Sequence, residues 1–121
     1  MHDAPWCRRL VLLALVLPAA SLAPRYFVKT ETFAKPFPVV KPHLDAHKEW
    51  VRGLRADGLS VTSGHRVDGE GKPGGGGMMF FQAADYAAAS DLVARDPLIA
   101  NDCVDWRLNE WIADVGGIDL C

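Results

Sequence analysis

Hydrophobic and polar residues alternate along two segments of the chain and recur at helical spacing along two others. The alternating segments, residues 59–65 and 103–111, have the period of strands. Residues 25–31 are rich in β-branched and aromatic residues and residues 78–81 are an apolar run, so both are also predicted as strands. The helical segments are residues 43–57 and 84–95. The pattern therefore predicts the element order βαββαβ.

The first predicted helix has a clear apolar stripe and a clear end. Leu44, Val51 and Leu54 recur at helical spacing, and Gly58 follows as the expected C-terminal stop. The first strand is rich in the β-favouring residues Tyr26, Phe27 and Val28. Strand and helix are thus predicted from independent signals.

Two segments carry residues that interrupt regular structure. Residues 32–42 include Pro36, Pro38 and Pro42, which predict a connecting loop. Residues 66–77 are rich in turn-forming residues, and their glycine run at 74–77 predicts a flexible hairpin tip. A phosphate-binding loop is excluded because this run lacks the Lys-Ser/Thr ending and precedes a strand instead of a helix.

The element order predicts the fold class and a partner. A βαββαβ chain normally forms an α+β, ferredoxin-like fold, an antiparallel four-stranded sheet with two helices on one face. The third strand, residues 78–81, is apolar on both faces, so the uncovered face needs a second layer. We therefore predict a homodimer packed sheet to sheet, with Trp106 and Trp111 at the interface.

Composition excludes several classes of function. The formal net charge is −2, which offers nothing that attracts nucleic acid. The cysteines, Cys7, Cys103 and Cys121, are odd in number and widely spaced, a pattern typical of neither a disulfide framework nor a zinc site. We expect no cofactor.

The first 23 residues have the layout of a secretory leader. Arg8 and Arg9 precede the apolar run 10–17, and small residues follow. The uncharged stretch is shorter than the about 20 residues that a membrane-spanning helix needs, so no stable membrane insertion is expected. Two interpretations stay open: a cleaved leader of a periplasmic or secreted protein, or a mis-assigned start of a cytoplasmic protein that begins near Pro24.

His47 and Asp96 form the strongest candidate site. His47 lies on the inward stripe of the first helix, and Asp96 precedes Pro97, which forces it out of helical geometry at the same end of the fold. A histidine beside a carboxylate can transfer protons near neutral pH. The alternative is a buried histidine with a purely structural hydrogen bond.

Other polar residues are candidates for the lining of the same cleft: His43, Gly64, His65 and Arg66. His43 and His47 have the i, i+4 spacing of a helical metal pair, but no spacing supplies a third ligand. We therefore predict no metal site.

Together these features resemble the YCII-related (YciI-like) family. The shared features are the YFVK start of strand one, His47 with Gly58 eleven positions later, Ser63-Gly64, the glycine-rich approach to strand three and Arg95-Asp96-Pro97. The resemblance covers a domain of residues 24–112, followed by a tail of residues 113–121.

The resemblance implies a dimeric α+β barrel, related in shape to muconolactone isomerases, with a site centred on His47 and Asp96. It favours a cofactor-free enzyme that catalyses the isomerisation of a small unsaturated or lactone acid, or an elimination from it. The alternative function is a non-catalytic dimeric module for ligand binding or protein interaction, in which the same cleft binds a small molecule.

Overall fold

The computed structural model describes residues 24–118, and these build one antiparallel sheet with helices on one face. The strands are β1 (Tyr26–Phe33), β2 (Val61–Val67), β3 (Pro73–Gln82) and β4 (Val104–Trp111). The helices are α1 (Phe37–Ala56), α2 (Tyr86–Val93) and α3 (Pro97–Ala100). The strand order β2-β3-β1-β4 confirms the predicted ferredoxin-like α+β fold.

The core lies between the sheet and the helices. Phe27, Met79, Phe81 and Val93 are fully buried there. Their strand members are neighbours in register, because Phe27 pairs with Phe81 across the β1–β3 ladder. Alternation therefore places residues 27, 29 and 31 of β1 on the helix-covered face.

Helix α1 begins six residues before the predicted position and β1 continues to Phe33, so the prediction of a loop over residues 32–42 is wrong for residues 32–33 and 37–42. Pro38 lies in the first turn, where the backbone needs no internal N–H donor. Pro42 lies inside the helix, where its missing N–H removes one backbone hydrogen bond. Two prolines are therefore compatible with this helix because they lie near its start.

The C-terminal end of α1 agrees with the sequence. Gly58 has a φ of 96° and its N–H donates to the carbonyl of Arg55 at 3.0 Å. The N–H of Leu59 reaches back to Leu54, also at 3.0 Å, which completes a Schellman motif. This end turns the chain directly into β2.

The glycine run belongs to a strand, so the prediction of a hairpin tip over residues 66–77 is wrong for most of that segment. β3 already begins at Pro73, and the turn is confined to residues 68–72. A Cβ atom on Gly76 would collide with the carbonyl oxygen of Glu31, and one on Gly77 with that of Gly64. These glycines allow the neighbouring backbones to approach closely.

The second helical segment is shorter than predicted and is followed by an additional helix. α2 ends at Val93, and α3 forms a single four-residue turn that starts at Pro97. Pro97 ends one helix and starts the next because its fixed φ suits the first helical position. Asp96 lies between the two helices.

Candidate active site

His47 is held on the inward face of α1. It shares that face with Val40 and Val51, and only 3% of its surface is exposed. These residues recur at the spacing of a helical stripe. The imidazole therefore lies at the border between the core and the sheet.

Asp96 is fixed by the junction between α2 and α3. Its backbone is extended, with a φ of −60° and a ψ of 123°, as expected for a residue before proline. Its Oδ1 atom accepts a hydrogen bond from the N–H of Leu98 at 2.9 Å and so caps α3. The capping geometry aims the carboxylate toward α1.

Both ring nitrogens of His47 have a partner. Nδ1 lies 2.8 Å from Oδ1 of Asp96, and Nε2 lies 2.7 Å from Oγ of Ser63 on β2. A serine hydroxyl, an imidazole and a carboxylate thus form one continuous row. Such a row can pass a proton between the hydroxyl and the ring.

The protonation state of Asp96 determines the tautomer of His47. Burial raises the pKa of Asp96, but the hydrogen bond from His47 and the charge of Lys29 together outweigh burial and hold this pKa below its ordinary value. The carboxylate is therefore ionised near neutral pH and accepts the Nδ1 proton. In the neutral ring, Nε2 is then the acceptor for the Ser63 hydroxyl.

Lys29 supports Asp96 from the sheet. Its Nζ atom lies 2.6 Å from Oδ2 of Asp96 and also donates to the carboxylate of Glu31. Lys29 is fully buried and Glu31 is 7% exposed. Within residues 24–118 no buried side-chain nitrogen or oxygen lacks a hydrogen-bond partner, so this polar network is fully satisfied.

Lys29, Glu31 and Ser63 are site residues that the sequence interpretation missed. The sequence contains a signal for two of them, because strand alternation places Lys29 and Glu31 on the same face of the strand as the core residue Phe27. Charged residues at inward positions of a central strand are rare unless they are paired. Ser63 enters the sequence prediction only through the Ser63-Gly64 motif.

A cleft of about 340 Å³ opens over this network. Its residues come from β1, α1, β2 and β3: Glu31, Phe33, Leu44, His47, Lys48, Val51, Arg52, Ser63, Gly64, His65, Gly76 and Gly77. A volume of this size lies at the lower end of the range of about 300–1,000 Å³ for small-molecule sites. The cleft therefore fits a small ligand.

The candidate lining residues separate into two groups. Gly64 and His65 line the cleft. Arg66 follows His65 on β2 and so lies on the opposite sheet face, where it donates to Oγ1 of Thr32 at 3.3 Å. His43 is half-buried one turn before His47 and is not among the lining residues.

The cleft has a basic rim. Lys48 and Arg52 lie one turn apart on the exposed side of α1, and both line the cleft. Arg52 also donates to Glu49 at 2.9 Å. These two cations lie where a ligand would enter, so they favour a ligand with a negative charge.

Residues 24–118 contain no group of three His, Cys, Asp or Glu side chains that could hold a metal ion. Over the same range, no helix is long and apolar enough to cross a membrane. Cys103 is buried in the core, whereas Cys7 and Cys121 lie outside the described residues, as does the predicted leader.

The sequence places this site in a known family. Residues 26–112 match the YCII-related domain, which is more than half of the chain. The chain belongs to the YCII-related family. The match confirms the predicted resemblance, and the YCII-related segment contains every residue of the cleft. No curated protein matches the chain.

Proposed function

We propose that this YCII-related protein is a cofactor-free enzyme that uses His47 to transfer a proton on a small unsaturated or lactone acid. The reaction class is isomerisation or elimination. The observation that carries the proposal is the row Asp96–His47–Ser63, which ends in a cleft large enough for such a molecule.

The roles follow from the contacts. Asp96 accepts the Nδ1 proton and orients the ring, and Nε2 is the atom that exchanges a proton with the substrate. Ser63 lies beside Nε2 and relays this proton. His65 lines the same cleft and binds a carbonyl or carboxylate oxygen.

The basic rim supports an acidic substrate. Lys48 and Arg52 are exposed at the cleft, where a carboxylate would meet them before the reacting carbon reaches His47. Their attraction increases the local concentration of anions and weakens with added salt. We therefore expect the substrate to carry a carboxylate at the end remote from the reacting carbon.

The functional unit in this proposal is a homodimer. The sheet face opposite the helices carries aromatic side chains in contact, with Phe80 centred 6.0 Å from Tyr26 and 6.3 Å from Trp111. Met78 and Trp111 on this face are 47% and 51% exposed. A second copy of the same face would bury them, and an exposed apolar patch of this kind is typical of an interface.

The test is a screen for proton exchange in heavy water. The protein is incubated with a panel of β,γ-unsaturated acids and carboxymethyl-substituted unsaturated lactones, and proton NMR follows deuterium incorporation and isomerisation. We expect turnover with at least one member, loss of turnover in His47→Gln, and little change in melting temperature. His43→Gln, one turn earlier on the same helix, is the matched control and should retain turnover.

The alternative is a non-catalytic module that binds a small molecule in this cleft. That function predicts ligand-induced NMR shifts around His47 with no exchange for any compound. It also predicts that His47→Gln lowers the melting temperature, because the imidazole would then serve only to hold α1 to the sheet.

A further inference from the structure

Glu31 and His47 are the outermost acid–base side chains of one hydrogen-bonded chain of charged residues, and Ser63 follows His47 as a neutral partner. The order is Glu31, Lys29, Asp96, His47, and each contact is direct. Lys29 and Asp96 in the middle are fully buried, whereas Glu31 and His47 at the ends both line the cleft. This hydrogen-bonded network therefore connects two separate parts of the cleft wall, one on β1 and one on α1.

The charges of this chain balance only when it holds one additional proton. Lys29 contributes a positive charge, while ionised Asp96 and ionised Glu31 each contribute a negative one. With a neutral His47 the sum is −1, and a buried net charge is unfavourable. One proton restores neutrality, and the only chain members that can exchange it with a cleft ligand are Glu31 and His47.

We propose that Glu31 is the second acid–base residue of the cleft and shares one proton with His47. This inference rests on the proposed function, since it names the group that completes the proton transfer. Two states have the same net charge: protonated His47 with ionised Glu31, and neutral His47 with protonated Glu31. Either state presents one acid and one base to a bound substrate.

The reaction balances without a cofactor. Neutral His47 takes a proton from the carbon beside the carbonyl, and the electron pair of that C–H bond shifts toward the conjugated system. Protonated Glu31 delivers its proton to the far carbon of the double bond. The substrate is isomerised, the protein ends in the other neutral state, and exchange with water in the cleft restores the starting state.

Several charged groups lie around Glu31. Lys29 lies on the same strand and contacts Glu31 directly. Asp96 is joined to Glu31 through Lys29, and His65 of β2 lines the same cleft. α1 contributes His47, Lys48 and Arg52. β3 contributes only Gly76 and Gly77 to the cleft. A second pocket is lined by Glu31 together with Arg66 of β2 and with Asp105 and Arg107 of β4. Within the cleft, His47 is the group that the hydrogen-bonded network joins to Glu31.

The first test needs no substrate. Nitrogen-15 NMR follows the His47 ring and carbon-13 NMR follows the Glu31 carboxyl in the full chain across a pH series. We expect both signals to move over the same pH range. In Glu31→Gln, the pH profile of the His47 signal should differ from that of the wild-type protein, because a negative neighbour has been removed.

Glu70→Gln is the matched control, since Glu70 lies exposed in the β2–β3 turn and should leave the transition in place. A His47 transition that is unchanged in Glu31→Gln, or a Glu31 signal that does not respond over that range, would overturn the inference. Glu31→Gln should fold, because Lys29 and Asp96 still balance, and Glu31→Asp offers a second variant if it does not.

The second test uses any panel acid that the wild-type protein converts. Glu31→Gln should lower kcat at least about 100-fold with KM little changed, and one limb of the pH–rate profile should disappear. If His47→Gln abolishes conversion but Glu31→Gln keeps both limbs, only the role of Glu31 fails. If no compound is converted, the proposed enzyme fails, and the NMR titration still decides the shared proton.

Discussion

The ammonium nitrogen of Lys29 lies 2.6 Å from Oδ2 of Asp96, and neither side chain has exposed surface. Removing one partner of a buried pair leaves the other charge without compensation. We predict that Lys29→Met lowers the free energy of unfolding by about 3–5 kcal/mol, measured by urea denaturation. Lys72→Met, at an exposed turn position, should have little effect.

The double variant Lys29→Met/Glu31→Gln distinguishes charge from packing. If uncompensated charge causes the loss, removing the Glu31 charge as well should recover part of it. A double variant no more stable than Lys29→Met would instead assign the loss to the packing of the lysine side chain.

The sequence was sufficient to predict where His47 and Asp96 meet. Helical spacing placed His47 on the inward stripe, and Pro97 forced Asp96 out of the helix. These are local rules, and the fold follows from the order of elements that obey them.

The sequence was not sufficient to predict the rest of the network. Lys29 is a charged residue in the centre of a sheet, where transfer from water is favourable only once Asp96 and Glu31 are in place. Those partners depend on strand register and on a junction far along the chain. The sequence also does not predict the early start of α1, because Pro38 and Pro42 disfavour a helix except near its first turns.

Asp96 should make stability depend on acid pH. Its pKa in the folded protein lies below the ordinary value, so its contribution to stability is present above that value and disappears as the pH falls through the folded-state pKa. Asp96→Asn should therefore be destabilised at neutral pH and show a flatter loss of stability on acidification. Unfolding by urea between about pH 3 and pH 7 measures this slope.

Asp91→Asn, on the exposed face of α2, is the control and should keep the wild-type slope. If the free energy of unfolding fell equally steeply with decreasing pH in Asp96→Asn, other carboxylates would be the cause of the acid dependence.

Ser63 should contribute more to turnover than to stability. Its hydroxyl is the partner of His47 Nε2 at 2.7 Å, at the cleft surface, where water can replace it. We predict that Ser63→Ala changes the free energy of unfolding by only about 0.5–1.5 kcal/mol but lowers turnover of a panel acid at least tenfold. Ser90→Ala on α2 is the control, and equal turnover in both variants would remove Ser63 from the proton path.

The two inner glycines of β3 should not tolerate a methyl group. A Cβ atom at Gly76 or Gly77 would collide with a backbone oxygen of a neighbouring strand, which cannot move without breaking the ladder. We predict that Gly76→Ala and Gly77→Ala each destabilise the fold by about 1–3 kcal/mol or more, measured by thermal unfolding.

Gly74→Ala in the same strand is the matched control, because its nearest contact would be an ordinary 3.5 Å. If all three substitutions had the same effect, the loss would come from strand propensity instead of the collision.

Phe80 lies at the centre of the sheet face that the proposed homodimer buries. Its ring lies next to those of Tyr26 on β1 and Trp111 on β4, so a charge at this position would be buried without a partner in a sheet-to-sheet dimer. We predict that the wild-type protein is a dimer by size-exclusion chromatography with light scattering and that Phe80→Glu is a folded monomer. Phe37→Glu, on an exposed helix position of the other face, should remain dimeric. A monomeric wild type, or dimers of unchanged affinity in Phe80→Glu, would show that another surface, or none, joins two copies.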